Sequence, residues 1–172
     1  GRHVLPWAAA RYGGPTATLP WGGEALSARG CDVEIVTTHA DRTGVLDVAT
    51  GVPIDWSGAT ATFHQLSRPR RFITSWSMLR DLWRRSAELD IAHVHYLYRF
   101  HSIAVAAVAR RRGIPYVIQA HGSLDPWHRA QKRRAKDLYH WLVEDFVIRG
   151  ASAVICTSTR EERSVRDLGY QV

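Results

Sequence analysis

Apolar and polar positions along this chain switch between a period near two and a period near 3.6, and the switches mark its elements. His3-Val4-Leu5 is a short apolar run that predicts a first strand. Thr16 to Arg29 has helical spacing, weakened by Pro20 and Gly22-Gly23, and Gly30 suits the position just past a helix end. Cys31 to Thr38 alternates and then finishes apolar, which predicts a second strand and completes a β-α-β unit. His39 to Ala59 is polar and glycine-rich and predicts a long irregular connection. Thr60 to Leu66 is strand-like, and Ser67 to Arg71 is a basic turn. From Phe72 to Leu89 the spacing of Phe72, Trp76, Leu79 and Trp83, with Ile73 and Leu82 beside them, predicts an amphipathic helix with those residues as its apolar stripe. A strand over Ile91–His95, a small-residue helix over Ser102–Arg112 and a strand over Pro115–Gln119 follow. The pattern then predicts a long helix from His128 to Arg149 and a strand over Ala153–Thr157. A last helix opens at Ser158 or Thr159 with a capping-box pattern to Glu161 or Glu162. The order β-α-β-β-α-β-α-β-α-β-α predicts an α/β domain: a doubly wound, mostly parallel, Rossmann-like sheet with helices on both faces.

That architecture says where to look for chemistry, because open parallel sheets bind ligands beyond the carboxyl ends of their strands. The stretch His121-Gly122-Ser123-Leu124-Asp125-Pro126-Trp127 lies between a predicted strand and a predicted helix. It offers an imidazole, a hydroxyl, a carboxylate, a glycine and the free N–H groups of the helix that follows. Gly13-Gly14-Pro15 after the first strand is a second such place. Its glycines let backbone approach a ligand, and the helix start behind them favours an anion. The pattern is neither GxGxxG nor a P-loop. His93 and His95 alternate on one strand and share a face, with His95 nearer the carboxyl end. No third metal ligand follows in the next turn, so no metal site is expected. Arg129, Lys132, Arg133, Arg134 and Lys136 form a cationic helix face, which is either plain solvated surface or a contact for phosphate or anionic lipid.

Composition narrows the classes. The 172 residues suffice for one sizeable domain, 45% of them are hydrophobic, and no run reaches the ~18 apolar residues of a membrane span. The formal net charge of +7 suits nucleic acid, an anionic surface or a phosphate-bearing ligand. No helix-turn-helix, zinc-finger or basic-zipper pattern is present, so nucleic acid is not an expected partner. Cys31 and Cys156 lack metal-ligand spacing and read as buried, reduced thiols of a cytosolic protein.

Several short stretches, in order, resemble the N-terminal domain of GT-B-fold glycosyltransferases, specifically the large retaining family numbered four. They are His3-Val4-Leu5 leading to Gly13-Gly14-Pro15; Leu26 to Ile35; Asp90 to His95; Gly113 to Val117; His121 to Trp127; and Ala151 to Ser158 with Glu161 or Glu162. Cys31 stands where that family usually has histidine. The resemblance implies a single acceptor-side domain over residues 1–172, with a donor-binding domain expected elsewhere in a longer chain and little turnover by this part alone. It implies transfer of a sugar from a nucleotide diphosphate to an acceptor hydroxyl, with retention and without a catalytic metal or other cofactor. It places His121 at the reaction centre and Gly13, Gly14 and Gly122 near the donor diphosphate and sugar. His95, Ser123, Asp125, Arg129 and Lys132 are the acceptor-side candidates. The expected partners are a nucleotide sugar, a glycan or glycolipid acceptor and an anionic membrane surface. The expected location is cytoplasmic, peripheral on the inner face of the membrane. Two other readings compete: a non-catalytic module binding anionic lipid or glycan, and an unrelated nucleotide-binding enzyme. A nicotinamide enzyme is disfavoured because Thr37-Thr38 stands where an acidic residue would end the second strand.

Overall fold

The structure is a computed structural model that describes residues 1–9, 14–41, 44–125 and 139–171. Nine strands are described: β1 (Arg2–Val4), β2 (Glu34–Thr38), β3 (Ala40–Asp41), β4 (Gly44–Val45), β5 (Pro53–Trp56), β6 (Ala59–His64), β7 (Ala92–His95), β8 (Tyr116–Gln119) and β9 (Ala153–Ile155). The helices are α1 (Pro15–Ser27), α2 (Trp76–Arg84), α3 (Phe100–Arg112), α4 (Asp145–Arg149) and α5 (Thr159–Asp167). Seven strands make one sheet in the order β5-β6-β2-β1-β7-β8-β9, parallel except for β5 against β6. This is the α/β, mostly parallel, Rossmann-like sheet that the sequence pattern predicts.

Alternation along the strands sorts side chains to the two faces. One face carries Val4, Val36, Val94, Ile118 and Val154, which pack with Met78 and Leu82 of α2, Val105 and Ala109 of α3, Val147 and Ile148 of α4 and Val165 of α5. Leu5, Ile35, Ala61 and Phe63 point to the other face and meet Leu19 of α1. Each wholly buried Val, Ile or Leu in these clusters contributes about 1.5–3 kcal/mol by leaving water.

Three expectations are corrected. The segment 39–59 is not an irregular connection throughout: β3 and β4 form a small hairpin, and β5 adds an antiparallel edge strand. An edge strand pairs on one side only, so its residues alternate between exposed and half-buried and carry little hydrophobic signal. The helix expected from Phe72 to Leu89 is shorter. Arg70–Phe72 forms a 3-10 turn, Ile73 sits in the left-handed region at φ 53°, and α2 begins only after Ser75 caps it. Its core contacts are Met78 and Leu82, whereas Trp76 and Trp83 are 53% and 41% exposed. The third concerns the cysteines: both are free, but Cys31 is exposed and Cys156 half-buried. The long helix expected from His128 is described only from Tyr139 onward, where a π-helical turn over His140–Glu144 runs into α4; its earlier part lies outside the described residues.

Candidate functional site

The carboxyl ends of β1, β7 and β8 meet at a cavity of about 320 Å³ lined by Trp7, the run Tyr96 to Arg99, His121 and Ser123. Two tight turns build it. After β7, Tyr96 and Tyr98 both take left-handed backbone, at φ 66° and 61°. Non-glycine residues there cost about 1–3 kcal/mol each, so the neighbours must hold them. The carboxylate of Glu144 accepts the Tyr98 N–H at 2.8 Å, and the Tyr98 hydroxyl meets His140 Nδ1 at 2.9 Å. Below them the buried ring of His101 donates from Nε2 to the His95 carbonyl at 2.6 Å.

The second turn follows β8. His121 and Gly122 are left-handed at φ 50° and 76°. Glu161 of α5 ties the turn down: one oxygen accepts the Gly122 N–H at 2.8 Å, and the other accepts both the N–H and the hydroxyl of Thr157 at 2.8 Å. Ser158 caps α5 as expected, its hydroxyl accepting the Glu161 N–H at 3.2 Å. The Glu161 side chain does not close a capping box but reaches across to the β8 turn.

His121 stacks on His95 with ring centroids 5.3 Å apart, and His121 Nε2 lies 3.0 Å from His95 Nδ1. Burial, against the weaker opposing pull of Glu161, holds the His121 pKa below the usual imidazole range. The ring is therefore neutral at pH 7, and with Nε2 engaged its Nδ1 is the nitrogen left for a ligand. Arg99 brings a permanent cation to the cavity, with its guanidinium 5.8 Å above the Trp7 ring. Its Nη1 donates to the Tyr98 carbonyl at 3.0 Å. The cavity thus combines one neutral imidazole, one guanidinium and aromatic walls. That set suits a polar ligand carrying both hydroxyls and negative charge.

The structure brings His95, His121, Gly122 and Ser123 together here. Asp125 is close in sequence but turns away, its carboxylate 2.9 Å from Arg160 Nη2. Gly14 starts α1 on the β1 side of the same sheet edge. Its φ of 44° is what calls for glycine, since among the described residues a Cβ there would meet nothing within 4 Å and no side chain caps the helix behind it. Gly13, Arg129 and Lys132 lie outside the described residues. Sequence reasoning missed Trp7, Tyr96, Tyr98 and Arg99, whose only signal was a place just after β1 or β7. It also gave Glu161, as an alternative to Glu162, a helix cap and a place in the resemblance but no link to the β8 turn.

A second histidine grouping lies within the sheet. His3 of β1 pairs in register with His93 of β7, and His3, His93 and His95 each offer a nitrogen within 4.8 Å of the others. The sequence around His93 and His95 offers no third such nitrogen; His3 brings one from another strand. None of the helices described is long and apolar enough to cross a membrane.

Comparison with known proteins agrees with this arrangement. The family model described as a glycosyl transferase 4-like domain matches residues 13–172. No curated protein matches the chain. With that match spanning nearly its whole length, and with a parallel sheet whose pocket lies at the strands' carboxyl ends, the chain belongs to the glycosyl transferase 4-like domain family.

Proposed function

We propose that this domain forms the acceptor-side wall of a glycosyltransferase that moves a sugar from a nucleotide diphosphate to the hydroxyl of a glycan or glycolipid, with retention and without a catalytic metal. The observation that carries the reading is the cavity where neutral His121 and cationic Arg99 converge between aromatic walls. His121 Nδ1 contacts the donor sugar at the reaction centre, and its Nε2 rests on His95. The Gly122 turn and the start of α1 behind Gly14 offer backbone N–H groups to the leaving diphosphate, where negative charge develops, and Gly13 is assigned to the same diphosphate. Ser123 and His95 belong to the acceptor side with Arg129 and Lys132. Asp125 acts there indirectly, by holding Arg160. A partner domain completes the nucleotide site.

A second contact follows from the other pole of α2. Trp76, Leu79, Arg80 and Trp83 line a groove with Ala107, Val108 and Arg111 of α3, and the Arg112 guanidinium lies 4.1 Å from the Trp83 ring. Exposed indoles beside arginines fit an anionic membrane surface, which would keep the enzyme on the inner face of the membrane beside a lipid-linked acceptor.

The test is release of nucleoside diphosphate by the full-length protein with a panel of nucleotide sugars and an acceptor pool. His121→Ala should lower that release by about 10²-fold or more, the loss typical of a removed polar contact at a reaction centre. Release that survives the substitution would reduce His121 to a structural role. No release with any donor, together with vesicle binding by the domain, would favour a non-catalytic lipid-binding module.

A further inference from the structure

The histidines inside the sheet remain unused by the proposed transfer. We infer that His3, His93 and His95 form a binding site for a divalent late transition-metal ion, zinc fitting best, set on the far side of His95 from the pocket. The parallel register of β1 and β7 places His3 beside His93, and the two-residue period puts His95 on the same face. The rings already cluster, with centroids 4.8 Å apart for His3 and His93, 5.3 Å for His3 and His95, and 4.1 Å for His93 and His95.

Geometry supports coordination over packing alone. Two nitrogens bound tetrahedrally at about 2.0–2.1 Å stand about 3.3 Å apart. His3 Nδ1 and His95 Nε2, which share a hydrogen bond at 3.0 Å, already stand close to that separation. His93 Nε2 is buried and has no hydrogen-bond partner among the described residues. A buried ring nitrogen without a partner costs free energy that a metal bond would recover. All three nitrogens lie within 4.8 Å of one another, so closing them onto one ion calls for shifts of an ångström or so at each ring, roughly the difference from a tetrahedral N–N separation. An all-imidazole set suits zinc, copper or nickel and disfavours magnesium and calcium, which prefer oxygen. His3 and His93 also line a cavity of about 580 Å³, open enough to admit an ion, whose wall carries Asp32 and Asp90 beside Arg2 and the chain's amino group at Gly1.

Occupancy would reach the pocket through one hydrogen bond. With Nε2 on the ion, His95 must keep its proton on Nδ1 and donate it to His121 Nε2. His121 then carries its own proton on Nδ1, the nitrogen facing a ligand. Here His95 is a positioning residue.

The experiment titrates Zn²⁺ into tag-free protein stripped with a chelator, with Co²⁺ as a spectroscopic probe. One equivalent should bind with micromolar or tighter affinity, raise the melting temperature and give Co²⁺ the d–d bands of a low-coordinate nitrogen site. His3→Gln and His93→Gln should each weaken binding about tenfold or more, as loss of a ligand does, while His39→Gln, away from the cluster, leaves it unchanged. If His3→Gln fails to fold, His93→Gln carries the test, because its Nε2 holds no hydrogen bond in the fold. The imidazole nitrogen resonances of His121 should shift on Zn²⁺ addition in the parent protein, and in His93→Gln the same shift should require correspondingly more Zn²⁺. Absence of saturable binding, or full-affinity binding that survives both substitutions, overturns the site. Unmoved His121 resonances with zinc bound overturn its link to the pocket.

Discussion

Glu161 connects three groups that no local pattern joins. It is 7% exposed, and its two oxygens accept the Gly122 N–H and both donors of Thr157. Those hydrogen bonds hold its pKa below the usual carboxylate range despite burial. Removing it would leave two backbone donors unpaired beside a left-handed turn, at a cost of about 1–3 kcal/mol per group. Glu161→Ala should therefore destabilise by about 3 kcal/mol or more and loosen the His121 turn. Glu161→Gln, which keeps one acceptor oxygen, should cost about half as much; chemical denaturation of the two variants measures the difference. The sequence placed Glu161, or Glu162, at a helix start and among the stretches carrying the resemblance, with no hint of its partner across the sheet. Its partner Gly122 lies 39 positions earlier, and such a pairing becomes visible only once β8 and β9 stand side by side. His3 escaped notice for the same reason: its link to His93 is a register between strands. The place of His121 beside the cavity was legible because its signal is local, a polar turn directly after an apolar strand.

At the level of elements, the parallel strands were legible and the start of α2 was not. Short strands with apolar centres, such as those around Val36 and Val94, alternate with helices and show themselves. The stripe of Phe72, Trp76, Leu79 and Trp83 looked like a buried face, yet Phe72 precedes the helix and the two indoles edge a surface groove. Ser75 was the better guide. It is fully buried, and its hydroxyl accepts the Met78 N–H at 3.3 Å. Capping preference marks the true start, while apolar periodicity ran on past it. Ser75→Ala should cost about 1 kcal/mol and lower the melting temperature by about 2–4 °C for a domain of this size. A melting curve unchanged within 1 °C, roughly the resolution that figure demands, would mean that packing of Met78 and Leu82 alone sets the helix start. The edge strand β5 stayed hidden because Pro53 to Trp56 alternates without a strongly buried side.

Across the whole molecule, histidines govern the response to acid. His101 is 1% exposed, and burial, only partly countered by its bond to the His95 carbonyl, holds its pKa at about 4. The unfolded chain protonates that ring near pH 6.5 while the folded one does not, so stability is complete above that value and falls as pH drops toward the folded value. His101 alone should remove on the order of 2 kcal/mol between pH 7 and pH 5. His64 is lowered by burial as well and adds to the loss. Glu144 works the other way. Burial pushes it up to about 7, so it contributes stability at low pH that is lost as pH rises through 7. One carboxyl does not offset several imidazoles, and the melting temperature measured with a chelator present should fall between pH 7 and pH 5. A flat profile would show that these rings are protonated in the fold.

The two ends of the sheet are built on different terms. At the amino ends of β1 and β2, Arg2 meets Glu34 at 2.9 Å, Arg85 meets the same carboxylate at 2.9 Å, and Thr62 donates to it at 2.6 Å. Breaking such a buried pair is costly because it strands a charge. At the carboxyl ends stand the left-handed turns of Tyr96, Tyr98 and His121. The two sets share no residue. Variation can therefore act on the cavity rim without touching the polar lock beneath, and a lineage can try new ligands while keeping the same scaffold.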